Sequence, residues 1–261
     1  MANNPPTNTK EHFNKVPEVT LFFWIIKILS TTVGETAADF LNFNLHFGLT
    51  GTTIVMCVLL SFLLILQLKS KSYIPWLYWL NVLFISVVGT LITDNLTDNF
   101  GIPLEVTTVV FGLELIAVFT FWYLKERTLS IHTIYSGTRE IYYWTAILFT
   151  FALGTAGGDW VSETVNLGYA TAALIFGGII AAITVAYYIF RLNAVLAFWL
   201  SYVLTRPLGA SCGDLLTQPI ENGGLGWDNM QVNAIFLATI TSLVLYLTFS
   251  RKAIVNSRST S

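Results

Sequence analysis

WIIKILSTTVGETAAD, residues 24–39, decides the reading of this chain, because three of its residues return at fixed offsets. Trp24, Gly34 and Asp39 recur as Trp79, Gly89 and Asp94, as Trp144, Gly154 and Asp159, and as Trp199, Gly209 and Asp214. Successive copies are 55, 65 and 55 residues apart, so the first pair maps onto the second by a constant shift of 120. An internal repeat sets the architecture before any other signal does.

Each copy sits in an apolar run. The chain has 261 residues, is 54% hydrophobic and only 11% charged, and has a mean hydropathy of +0.67, well outside the range of a soluble domain. A bilayer core of about 30 Å needs roughly 20 apolar residues per helix. Eight such runs fall near 18–38, 46–67, 74–93, 103–124, 140–158, 168–190, 193–213 and 230–249. The prediction is an all-α integral membrane protein: eight transmembrane helices, built as four tandem helical hairpins in two similar halves.

The placement of charge gives the topology. Lys10, Lys15, Lys69, Lys71, Lys125, Arg127, Arg139, Arg191, Arg251, Lys252 and Arg258 all fall at the termini or in every second loop, and the other loops have no Lys or Arg. By the positive-inside rule both termini are cytoplasmic and the repeat aspartates face outward. The expected divisions are a disordered cytoplasmic tail at 1–17, a first half at 18–125, a cytoplasmic linker at 126–139, a second half at 140–250 and a tail at 251–261. Pro, Asn and Thr dominate the first of these, which has no apolar core of a signal peptide.

Residues four apart stack on a helix, so each odd-numbered span carries a stripe ending in its aspartate. The stripes read Lys27, Thr31, Glu35, Asp39; Val82, Ser86, Thr90, Asp94; Ile147, Phe151, Thr155, Asp159; and Tyr202, Arg206, Ala210, Asp214. Lys27 and Arg206 break the pattern at mid-span, where a charge must face protein or water. They are expected to point inward, each within reach of a carboxylate, with Asp39, Glu35, Asp214 or Glu114 as candidates. Pro207 is expected to kink the seventh span within a broken segment, TRPLGASCGD. His46 reads as an interfacial side chain. Cys57 and Cys212 suit no disulfide framework or metal pattern, and three scattered His and three Met argue against a soft-metal site.

Four two-helix units, each with a tryptophan at one fixed place, resemble a family of bacterial membrane proteins described as a four-fold repeat of unknown function. The residues that carry the likeness are the four tryptophans, KILSTTVGETAAD in the first unit, TREIYYWTAILFTFALGTAGGD in the third and LTRPLGASCGD in the fourth. The resemblance covers residues 18–250 and implies a bacterial inner-membrane location, but carries over no activity and no ligand.

Function is then read from the charges. A ring of Asp39, Asp94, Asp159 and Asp214 would select a cation, with Lys27, Arg206, Glu35 and Glu114 along its pathway. Trp24, Trp79, Trp144, Trp199, Gly34, Gly89, Gly154 and Gly209 would pack the repeats. Hard oxygen ligands suit a proton, Mn²⁺ or Mg²⁺, although no particular metal is assigned. The alternatives are a scaffold or sensor whose aspartates merely end helices, or an anion transporter using Lys27 and Arg206. No nucleophile–base pair or HExxH motif points to an enzyme. No cofactor and no nucleic-acid partner is expected. The partners are the bilayer and a small ion, and the pattern is compatible with a homo-oligomer.

Overall fold

The computed structural model describes residues 14–43, 48–135 and 137–259, with side chains placed up to residue 250 except that of Phe43. Eight long helices and no strands occur among the described residues. They are α1 (Leu21–Phe43), α2 (Gly48–Lys69), α3 (Pro75–Asp94), α4 (Leu104–Glu126), α5 (Gly137–Asp159), α6 (Tyr169–Ile189), α7 (Ala194–Thr217) and α8 (Asn229–Ser259). Gly48 and Gly168, 120 residues apart, open α2 and precede α6 with φ of 68° and 75°, a conformation only glycine takes readily.

Six helices are long and apolar enough to cross a membrane, and α5 and α7 are not among them. Both have polar residues in the interior: Thr150 and Thr155 on α5, and Ser201, Thr205, Arg206, Ser211 and Asp214 on α7, are all buried. A helix enclosed by protein on its polar face can be less apolar than one surrounded by lipid.

The odd helices α1, α3, α5 and α7 form a closed inner ring in chain order, with α7 returning to α1. Each even helix packs mainly on the odd helix of the next unit: α2 on α3, α4 on α5, α6 on α7 and α8 back on α1. The expected hairpins are therefore sequence neighbours rather than packing partners. The inner ring is what makes this necessary, because one odd helix already has two odd neighbours and leaves its remaining flank to the incoming even helix. The apolar stretches of α1 and α3 are 61% and 72% buried, against 22%, 17%, 11% and 17% for α2, α4, α6 and α8.

Two layers of contact close the ring with four-fold order. A Cβ on Gly34 would collide with Ser86, one on Gly89 with Phe151, one on Gly154 with Arg206 and one on Gly209 with Thr31. Each glycine thus receives the same stripe position of the following helix, and small residues allow that close approach. At the tryptophan end, the aromatic residue preceding each Trp meets its own Trp edge-on. The ring centroids lie 5.2, 5.1, 5.2 and 5.2 Å apart for Phe23–Trp24, Tyr78–Trp79, Tyr143–Trp144 and Phe198–Trp199. The same residues also reach the next unit: Phe23 to Trp79 at 5.5 Å, Tyr78 to Trp144 at 5.4 Å, Tyr143 to Trp199 at 6.1 Å and Phe198 to Trp24 at 5.8 Å. Each such pair contributes about 0.5–1.5 kcal/mol beyond simple burial, so this girdle fastens the ring.

Several local expectations change. Residues 14–17 are packed against the bundle: Val16 is buried and Lys15 pairs with Glu140 at 2.5 Å, while 1–13 lie outside the described residues. A buried ammonium must find partners, and Lys15 also donates to the Leu68 carbonyl as Gln67 donates to the other oxygen of Glu140. The linker is folded over the same end, with Ile131 and Ile134 buried and the Leu129 carbonyl accepting from Trp199 Nε1. α7 runs unbroken through Pro207, which rests against Gly154 and Gly158. α8 continues to Ser259, into the expected tail. His46 lies outside the described residues.

Candidate functional site

The stripe positions of the four inner helices converge on the ring axis, and repetition sets their depth. One turn inside the aspartates stand Glu35, Thr90, Thr155 and Ala210, all buried. The guanidinium of Arg206 enters this layer from α7. Its Nη2 donates to Glu35 Oε2 at 2.6 Å, to Thr155 Oγ1 at 2.7 Å and to Thr90 Oγ1, and its Nη1 donates to the Thr31 carbonyl at 2.9 Å. Thr90 Oγ1 also donates to Glu35 Oε2. All four inner helices therefore take part in one ion pair. Arg206 is fully buried, and charge-assisted bonds of this kind are what make a buried guanidinium tolerable.

Beyond that pair lie the four aspartates. Asp214 is buried, and Asp39, Asp94 and Asp159 are half-buried. One carboxylate oxygen from each of Glu35, Asp159 and Asp214 lies within 4.8 Å of the others. A hard cation takes oxygen ligands at about 2.0–2.6 Å, so a single ion could be held by all three. None of the four aspartates receives a side-chain hydrogen bond or forms an ion pair among the described residues. All four lie in or near the last turn of an α-helical segment, where the free backbone groups are carbonyls and the helix dipole disfavours an acid, so the backbone gives them no local support. Two π-helical turns, Asn95–Asn99 and Trp160–Thr164, continue α3 and α5 past their aspartates and add Asp98 and Glu163 at matching positions. Tyr169 donates to Glu163 at 3.2 Å.

Arg206 thus meets the expectation of a carboxylate partner, and the partner is Glu35. Lys27 does not meet it. Its side chain is fully buried, its Nζ has no hydrogen-bond partner among the described residues, and it lies 4.0 Å from the Phe151 ring centroid and 4.3 Å from that of Tyr202. Glu114 stands apart, half-buried on the outer helix α4 between the exposed Leu113 and Ile116, with no ion pair. An even helix faces outward over most of its length, so depth along the chain alone could not bring Glu114 to the axis.

Sequence reasoning placed the carboxylates but gave no role to Thr90, Thr155, Phe151 or Tyr202. The signal was present, since all four occupy stripe positions, but only contact geometry shows which of them meets a charge. A lateral groove of about 830 Å³ between α1, α6 and α7 at the tryptophan end is lined by Trp24, Ile28, Ile180, Tyr187 and Phe198, and none of the repeat acids borders it. Cys57 and Cys212 are both free thiols.

A closed ring of four equivalent helices, each wrapped by the helix of the unit before it, defines an all-helical four-repeat bundle with an acidic axial site. The family described as a repeat of unknown function (DUF347) matches four times, at residues 22–73, 77–128, 142–193 and 197–253, and the chain belongs to that family. No curated protein and no solved structure matches it.

Proposed function

We propose that this chain is an eight-span protein of the bacterial inner membrane, with both termini cytoplasmic, that moves a small hard cation along the ring axis. The cation is a proton or a divalent ion such as Mn²⁺ or Mg²⁺. The observation that carries this reading is the set of unpaired aspartates above the Glu35–Arg206 pair, three of them half-buried, with Glu35, Asp159 and Asp214 close enough to share an ion. Carboxylates that face shared space without partners attract cations. α5 and α7 cross the membrane inside the ring, where their polar faces meet protein. The Lys- and Arg-bearing loops all lie at the tryptophan end, which supports placing that end in the cytoplasm.

The scaffold reading is weakened because acids near helix C-termini oppose the helix dipole, so these positions give the aspartates no local structural benefit. The anion reading is weakened because both terminal nitrogens of Arg206 are already engaged. The test is flux in proteoliposomes against a panel of cations and pH gradients. Flux is expected for one hard cation and lost in an Asp159→Asn, Asp214→Asn chain that still folds. Equal flux in that chain would refute the pathway. Single-cysteine labelling from outside tests the topology: sites near Asn99 and Glu163 should react, and reaction at Ser70 or Thr133 instead would overturn it.

A further inference from the structure

Lys27 lies one turn closer to the girdle than Arg206 and is fully buried. As an ammonium it would present three donors, yet among the described residues no acceptor reaches Nζ. Its nearest groups are the faces of Phe151 and Tyr202, and Arg206 lies 5.7 Å from the centroid of the same Phe151 ring. The ring of Phe151 is therefore near two side chains that are both cations in water.

Among the described residues, no acid on any helix packed nearby pairs with Lys27. On its own helix, Glu35 is two turns away and held by Arg206. The acids of α3, α5 and α7 on the axis are Asp94, Asp159 and Asp214, at the level of Asp39, which is about 18 Å along the helix from Lys27. Glu140 of α5 is taken by Lys15 and Gln67 at the tryptophan end. α2 contains no Asp or Glu, and neither does α8 over residues 229–250. The remaining titratable neighbours are the phenols of Tyr202 on α7, Tyr78 on α3 and Tyr143 on α5, and the last two are bonded to each other at 2.5 Å. Ring faces attract a cation but do not satisfy its N–H groups, and Arg206 repels it.

We infer that Lys27 keeps its amine uncharged inside the ring and is the residue that takes up and returns a proton during transport. The second half of this rests on the proposed function, whereas the first does not. On uptake the nitrogen lone pair forms an N–H bond as an O–H bond of hydronium breaks and leaves water, and on release the proton passes back to water. A charge on Lys27 then opposes a cation at Glu35, eight residues or about 12 Å away. Across a weakly screened interior this lowers affinity for a monovalent cation roughly tenfold.

The test uses the full chain in detergent micelles, labelled with ¹⁵N-lysine. At pH 7, one Nζ signal is expected in the neutral-amine range, with contacts to the aromatic protons of Phe151 and Tyr202 that assign it without any substitution. Its absence, with every lysine in the ammonium range, overturns the inference. In proteoliposomes with an Mn²⁺ or Mg²⁺ gradient, the unaltered chain should move protons in exchange for the metal, and Lys27→Gln should move the metal without protons. Retained proton coupling in Lys27→Gln overturns the transport role. A neutral amine together with no cation flux in the unaltered chain refutes the transport reading alone and leaves the amine assignment standing.

Discussion

The Glu35–Arg206 pair permits the most quantitative prediction. Arg206 is fully buried and Glu35 nearly so, and the guanidinium has four acceptors, of which one is charged. Removing one partner of a buried pair strands the other charge and typically costs about 3–5 kcal/mol. Glu35→Ala should fall at the top of that range. Glu35→Gln should fall near the bottom, since its amide oxygen can still accept and Thr31, Thr90 and Thr155 still hold the guanidinium. Arg206→Met should cost less, about 2–3 kcal/mol, because the stranded Glu35 borders the aspartate layer and can take a proton there. The double change Glu35→Gln, Arg206→Met leaves no stranded charge, and it should be less damaging than the two single changes added together by about 2 kcal/mol. Reversible SDS titration in mixed micelles, followed by tryptophan fluorescence, reads all four stabilities. Additivity within about 0.5 kcal/mol would show that the two groups do not depend on each other, and would refute the account of the axis built on them.

Other outcomes follow from the same geometry. A methyl on Gly89 would lie 2.7 Å from Phe151 Cβ and 3.2 Å from the Ala152 nitrogen, so Gly89→Ala should lose about 1–3 kcal/mol. Gly178→Ala meets nothing within 4 Å and should be neutral or slightly stabilising; equal effects in thermal unfolding would contradict the ring contact. Asp159→Asn and Asp214→Asn should each weaken metal binding by at least about tenfold in calorimetry, while Glu114→Gln should leave it unchanged. Glu140→Gln should free the segment around Lys15, read as faster proteolysis at the N-terminal end, and unchanged cleavage would count against the Lys15–Glu140–Gln67 contact.

The sequence by itself determined the repeat and, through it, the depth of each functional layer. A shift of 55 or 120 residues carries Trp onto Trp and Asp onto Asp, and helical periodicity puts the residues between them on one stripe. The aromatic residue before every Trp, Phe23, Tyr78, Tyr143 and Phe198, was equally visible as a repeated feature, although its partner was not. Partners were decided by the tertiary structure. The repeat pattern by itself is the same whether an even helix packs within its own unit or on the next. Only the closed ring, with Gly209 receiving Thr31, selects between them. The fate of the two odd charges shows the same division. Lys27 and Arg206 lie on the same polar stripe and were assigned the same need for a carboxylate. Arg206 is longer and one turn nearer the aspartate layer, so it reaches Glu35 with help from three neighbouring helices. Lys27 lies where the adjoining stripes supply Phe151 and Tyr202, so it meets ring faces instead. Spacing along a chain gives depth and face, but whether a charge finds a partner depends on which helix stands beside it.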